Sequence, residues 1–155
     1  MSWRLRRAAV ADLPALVALE RQAFAGDRFS ARQFRYLLTR ARSTFLVAAA
    51  DGPLLGYAVA LYRAGATRAR LYGIAVAAAA RGQGVATALV EAIAAAARAR
   101  GCTALSLEVR ADNDAALGLY RKLGFIAAGV IPGYYEDGAA AIRMRRDLAA
   151  EPQSS

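Results

Sequence analysis

No histidine occurs anywhere in the 155 residues, and Cys102 is the only cysteine. The first absence excludes an imidazole base and any Cys–His nucleophile. The second excludes a disulfide framework, and with no His/Cys cluster no metal is expected. Lysine is almost missing too: Lys122 stands alone, so nearly all the positive charge is arginine. No uncharged apolar run reaches the roughly 18 residues that a membrane-spanning helix needs. The opening MSWRLRRAAVADLP lacks an apolar h-region, so no signal peptide is expected. The expected setting is the reducing cytoplasm.

What is present suffices for one domain with a real core, since 57% of the residues are hydrophobic. The formal net charge is +9. Such a balance fits a nucleic-acid surface, or a chain rich in Arg and Ala whose basic surface suits a polyanionic cofactor. The arginines are spread out and not interleaved with aromatic residues, which favours the second. No direct nucleic-acid contact is expected.

Periodicity divides the chain into short elements. WRLRRA (3–8) reads as a first strand. Asp12 is expected to cap a helix with Pro14 in its first turn and Leu13, Leu16, Val17, Leu19 and Phe24 on its apolar side. Ser30 to Gln33 forms a capping box, predicting a second helix that runs to about Arg42. Strands over 44–50 and 54–62, joined by Asp51-Gly52-Pro53, make a hairpin, and ARLYGIAV (69–76) is a fourth strand. A helix from about Gly84 to Arg100 is closed by Gly101, TALSLEV (103–109) is a fifth strand, and a helix capped by Asp112-Asn113-Asp114 ends at Gly124. Strands at 125–131 and 139–148 follow, joined by PGYYEDG, and residues 149–155 read as a flexible tail. The sum is an α/β (α+β) fold: a mixed seven-stranded sheet with helices on both faces.

Three stretches carry chemistry. ARGQGVA (80–86) sets two glycines where a strand becomes a helix. It lacks the third glycine of a dinucleotide fingerprint and the Lys-Ser/Thr of a P-loop. It is either an ordinary turn or a nest of backbone amides for a pyrophosphate. In SLEV, Ser106, Glu108 and Arg110 share one strand face, so Glu108 is either a solvated side chain or a carboxylate base beside a cofactor. In NDAALGLYRKLGF, Leu117, Tyr120 and Leu123 share a helix side, making Tyr120 a core residue or, with its hydroxyl in a cleft, a general acid. Cys102, with no base near it in sequence, reads as a packing residue.

Taken in order, LYGIAVAAAARGQGVATALVEAI, LEVRADNDAALGLYRKLGF and GYYEDGAAAIRM resemble the GNAT acetyltransferase superfamily. More narrowly they resemble the bacterial ribosomal-protein N-terminal alanine acetyltransferases. The resemblance implies a single GNAT domain over 1–148, its mostly antiparallel sheet splayed between strands 4 and 5. It implies acetyl-CoA as co-substrate and a primary amine as acceptor, foremost a protein or peptide N-terminus such as that of a ribosomal protein. A small amine, a lysine side chain, or a non-catalytic acyl-CoA-binding module are the alternatives; the presence of both Glu108 and Tyr120 argues against the last.

Residue by residue, the resemblance gives Ile74, Ala75 and Val76 to the pantetheine and acetyl group. It gives Arg81, Gly82, Gln83, Gly84, Val85, Ala86 and Thr87 to the pyrophosphate, and Asn113 and Ala116 to further cofactor contacts. Glu108 matches the proton acceptor, Tyr120 the proton donor, and Tyr134 and Tyr135 the aromatic pair beside the acceptor amine. The chemistry suits these types: an α-amine with pKa near about 8 must shed a proton before attack, and the developing oxyanion can be held by the Val76 N–H. Two stretches depart from the family pattern. Ala77 to Ala80 replace a usual Asp-Pro pair, and Arg28-Phe29-Ser30 replaces a usual Pro-Trp-Ser.

Overall fold

A computed structural model describes residues 3–24 and 28–148; the expected tail at 149–155 lies outside them. The elements run β1 (Arg4–Arg7), α1 (Leu13–Ala23), α2 (Ala31–Thr39), β2 (Ser43–Ala49), β3 (Leu54–Leu61), β4 (Arg68–Val76), α3 (Val85–Ala99), β5 (Ala104–Arg110), α4 (Asp114–Lys122), β6 (Ile126–Ile131) and β7 (Ala141–Asp147). One sheet takes all seven strands in the order β1-β2-β3-β4-β5-β7-β6. Every neighbouring pair is antiparallel except β4 and β5. A parallel pair needs a crossover, and α3 supplies it.

Both sheet faces are covered where the residues demand it. The Ala-rich α3 buries Val85, Leu89, Val90, Ile93, Ala94 and Ala97 against β-strand residues such as Ala58, Leu71 and Leu105. Its approach is close: a Cβ on Gly56 would sit 2.9 Å from Ala75 O and 3.1 Å from Val85 Cγ1. On the opposite face, Leu16 and Leu19 of α1 and Phe34 and Leu37 of α2 pack on Phe45, Val47, Tyr57 and Val59. Apolar burial of this kind is the main stabilising term, at about 25 cal/mol per Å². Among the described residues no helix is long and apolar enough to cross a membrane.

Two expected boundaries are corrected. Asp12 makes no side-chain cap for α1. Its carboxylate is taken by the Arg6 guanidinium, at 2.8 Å, and by the Ala9 N–H, at 2.7 Å, which tie down a 3-10 turn over Val10–Asp12 instead. The second helix begins as expected, with Gln33 N–H donating to Ser30 Oγ at 3.1 Å and Ser30 N–H to Gln33 Oε1 at 2.8 Å. It stops at Thr39, short of Arg42, because Tyr36 O accepts from both Arg40 and Ala41 N–H and the Ser43 hydroxyl caps Leu37 O.

Candidate active site

The site begins where two strands part. β4 and β5 pair only through Arg68–Arg70 and Ala104–Ser106, and beyond these they separate. A bulge helps: opposite Val59 and Ala60 of β3, Tyr72 is the extra residue of β4, and bulges bend the strand that carries them. The gap holds a cavity of about 360 Å³, reached by Leu71, Ile74, Glu108, Asn113, Tyr120 and Tyr134 among others.

Glu108 stands on the β5 face that looks into this gap, and its side chain is only 12% exposed. The Arg70 Nε donates to its Oε2 at 3.1 Å. Its Oε1 has no hydrogen-bond partner among the described residues. Tyr120, from α4, is held edge-on to Phe125 at 5.7 Å between centroids, and burial pushes its phenol pKa well above the ordinary tyrosine value, with Tyr135 adding to the effect. A phenol so placed keeps its proton at neutral pH, as a proton donor must.

Past Tyr120 lies a second cavity of about 620 Å³, sharing Phe24, Ile74, Asn113, Ala116 and Tyr120 with the first. Ala75, Val76, Arg81, Gly82, Gly84, Val85, Ala86 and Thr87 also line it. Gly82 and Gly84 have φ of +80° and +79°, which other residues adopt only at a cost of about 1 kcal/mol or more. No atom lies within 4 Å of a Cβ built on either, so the space before them is open. The first helical bond of α3 is Ala88 N–H to Gly84 O, at 3.0 Å, which leaves the preceding amides aimed out of the helix end. That donor set fits a pyrophosphate. Gln83 stands apart from the wall, since its Nε2 turns back to Ala79 O at 3.3 Å and its buried Oε1 lacks a partner. The Ala77–Ala80 stretch, where the family pattern lapses, forms a 3-10 turn with Ala80 buried. Asn113 borders both cavities while its Oδ1 accepts from Ala116 N–H at 3.1 Å, capping α4.

Tyr134 and Tyr135 close the other side. Their rings meet edge-to-face at 5.0 Å. The Tyr134 hydroxyl accepts from Arg70 Nη2 at 2.8 Å, and Arg110 lies over the Tyr135 ring at 4.7 Å. Arg110 also binds Asp137, whose carboxyl it holds below the usual range, while Asp137 accepts from Ala139 N–H at 3.0 Å. The loop is thus fastened at both ends.

Glu20, Tyr57, Tyr72 and Arg70 line the first cavity without being singled out in the sequence, and Phe29 stands out there only as a departure from the family pattern. Glu20, 2% exposed, accepts from the Tyr57 hydroxyl at 2.7 Å and from Phe29 N–H at 2.8 Å. Phe29 stacks on Tyr72 at 5.2 Å, filling the place where the family pattern changes. The available signals were slight: a charge on the apolar stripe of α1, four residues after Leu16, and an arginine inside a strand.

The Acetyltransferase (GNAT) family is matched over residues 13–125. The chain is 60% identical over 42 residues, 26% of its own length and 27% of the other's, to N-alpha-acetyltransferase RimI of Mycobacterium tuberculosis (strain ATCC 25618 / H37Rv). It is 51% identical over 45 residues to an uncharacterized protein of Mycobacterium leprae (strain TN), covering 28% of this chain and 12% of that one. The segments matched are therefore a small part of both relatives. The crystal structure of the ribosomal-protein-S18-alanine N-acetyltransferase from Escherichia coli is similar over 99% of both chains, with a TM-score of 0.84 and 29% identity. With the splayed sheet, the glycine-lined helix end and the family match in agreement, the chain belongs to the GNAT acetyltransferase family.

Proposed function

We propose that the protein transfers an acetyl group from acetyl-CoA to a primary amine, foremost the N-terminal α-amine of a protein or peptide. One observation carries the reading. The cavity holding Glu108 and the cavity at the α3 N-terminus share Ile74, Asn113, Ala116 and Tyr120. When bound, acetyl-CoA supplies an activated thioester. Arg81, Gly82, Gly84, Val85, Ala86 and Thr87 hold its phosphates, and Ile74, Ala75 and Val76 line its arm where β4 leaves β5. Glu108, directly or through a water, takes the proton that the amine sheds, and Tyr120 gives its proton to the departing sulfur. Tyr134 and Tyr135 flank the entering amine. The similar E. coli structure is that of a ribosomal-protein-S18-alanine N-acetyltransferase, which supports a protein N-terminus as acceptor, and a ribosomal protein is the partner proposed. The same reading places the protein in the cytoplasm, with its single cysteine buried and unpaired.

The test is to incubate the protein with acetyl-CoA and a panel of N-terminal peptides and small amines, following free CoA. N-terminal peptides are expected to be the best acceptors, and mass spectrometry of a peptide with both an N-terminus and a lysine should find the acetyl on the former. Acetyl mainly on lysine would overturn the acceptor, while no CoA release with any amine would overturn the transferase. Acetyl-CoA should also raise Tm by mass action, and Gly84→Glu should abolish that rise.

A further inference from the structure

A second trough runs away from Glu108 along the same sheet face. α1 and α2 pack on β2 to β4, leaving the β5 and β7 part of that face open. Here register sets Arg70 and Arg145 on either side of Ser106, Arg143 beside Glu108, and Arg68 beside Ala104. Ala104 and Ser106 are small and buried, so they form a floor and the arginines the walls. The resulting groove has a volume of about 740 Å³ and, among the described residues, is lined by five arginines (63, 68, 70, 143 and 145) against one carboxylate, Glu108. Arg70 and Glu108 border both this groove and the cavity that holds Glu108, so the two spaces adjoin at that ion pair.

The charge of this groove is only partly answered from within. Arg70 is bound to Glu108 and Arg145 to Asp147. Arg63, Arg68 and Arg143 are exposed and have no carboxylate partner among the described residues. From Glu108 to Ala104 the strand advances four residues, about 13 Å, the reach of about four residues of extended peptide. Nucleic acid is the other polyanion to consider, yet the groove offers no stacking platform. Its one aromatic lining residue, Tyr62, has its ring covered by Arg100 at 3.9 Å and its hydroxyl bonded to Thr44 at 2.6 Å.

We infer that this groove receives the acceptor polypeptide just downstream of its reacting N-terminus and selects acidic side chains at about its third to sixth residues. The inference rests on the N-terminal transferase reading and names the substrate class within it. Several exposed charge pairs acting together set the preference, and they are screened by salt.

Two measurements test it. The first compares kcat/KM for peptides sharing their first two residues but carrying Asp/Glu or Asn/Gln at the next four. A preference of about tenfold for the acidic series is expected at low salt, collapsing toward unity at about 0.5 M. In Arg68→Glu/Arg143→Glu the ratio should fall to one or below, with Arg143→Gln intermediate. The second measures anisotropy of a labelled acidic peptide whose N-terminus is already acetylated, which should bind the wild type about tenfold more tightly than the double variant, circular dichroism confirming that the variant is folded. Equal kcat/KM for both series, or equal binding by wild type and variant, overturns the groove while leaving the transferase reading intact. Tighter binding of a single-stranded RNA of equal charge also overturns it. Charge-selective binding with no acetylation of any peptide overturns the transferase reading, and with it the groove's role toward an acceptor, leaving only a groove that binds acidic peptides.

Discussion

Arg70 bridges the gap between the separated strands: its Nε meets Glu108 Oε2 at 3.1 Å while its Nη2 meets the Tyr134 hydroxyl at 2.8 Å. One planar guanidinium therefore fixes both the carboxylate of β5 and the loop between β6 and β7. Its own ring support is Tyr72, 4.9 Å below. A rigid fork serves two partners at once, which a lysine ammonium on a flexible stem does poorly.

In the proposed reaction Arg70 acts as a positioning residue, and its replacement should show in both kinetic constants. Arg70→Ala is expected to lower kcat and raise KM for the peptide, together costing about tenfold or more in kcat/KM. Arg70→Lys should recover part of kcat, and Tyr134→Phe should raise the peptide KM while sparing kcat. Steady-state kinetics with KM for acetyl-CoA as the internal control decides this. Wild-type constants in Arg70→Ala would show that the bridge has no role in the reaction.

Glu108 and Tyr120 should separate by pH. Glu108→Gln and Tyr120→Phe are each expected to lower kcat/KM by about 10²–10⁴ while the acetyl-CoA-induced rise in Tm persists. At high pH the amine is already neutral, so the Glu108→Gln loss should shrink. Burial raises the Tyr120 pKa, so its phenol stays protonated throughout the working range and the Tyr120→Phe loss should stay constant from about pH 6 to about pH 9. Parallel pH profiles for the two variants would contradict the assignment of separate roles.

What could be seen from sequence is what is decided locally. The glycine-flanked start of α3, the capping box at Ser30 and the face of Glu108 follow from backbone freedom, a four-residue hydrogen-bond exchange and the two-residue period of a strand. The Glu20–Tyr57 bond joins residues 37 apart and the Arg70–Glu108 pair residues 38 apart. No periodicity announces such meetings, because they depend on where whole elements dock. The cap misassigned to Asp12 failed for a related reason: a strand arginine, Arg6, competes for the same carboxylate.

Glu20 offers a test through stability. It lines the cavity that holds Glu108, and burial raises its pKa, opposed by the bonds from Phe29 and Tyr57 and the charge of Arg28. A carboxyl with a raised folded-state pKa contributes fully below its unfolded value, and that contribution is lost as pH rises through the folded value. Glu20→Gln removes the ionisation but keeps an oxygen for Phe29 N–H and an amide for the Tyr57 hydroxyl. The Tm difference between variant and wild type should therefore move steadily in favour of the variant from about pH 4 to about pH 8. Asp12, Glu91 and Asp137, whose pKa values are lowered by arginine partners, act in the opposite sense but equally in both proteins. A difference that stays flat with pH would show that Glu20 does not titrate against burial.

Phe29 and Gly73 both line the cavity that holds Glu108, and their fit is tight. A Cβ on Gly73 would lie 2.5 Å from Phe29 Cε2, 3.2 Å from its Cζ and 3.3 Å from the Tyr57 hydroxyl. The ring has little freedom to yield: it stacks on Tyr72 at 5.2 Å, meets Phe34 edge-on at 5.5 Å, and its backbone N–H is fixed to Glu20 at 2.8 Å. Gly73→Ala should therefore destabilise by about 1–3 kcal/mol, the usual range for overpacking, and raise the peptide KM as the ring shifts into the cavity. The double-mutant cycle identifies the cause. In a Phe29→Ala background the clash is gone, so Gly73→Ala should cost about 1 kcal/mol less in urea unfolding than it does alone. Strict additivity of the two changes would place the strain elsewhere, on the Tyr57 hydroxyl or the β4 backbone, and would remove Phe29 as the residue that requires glycine at position 73.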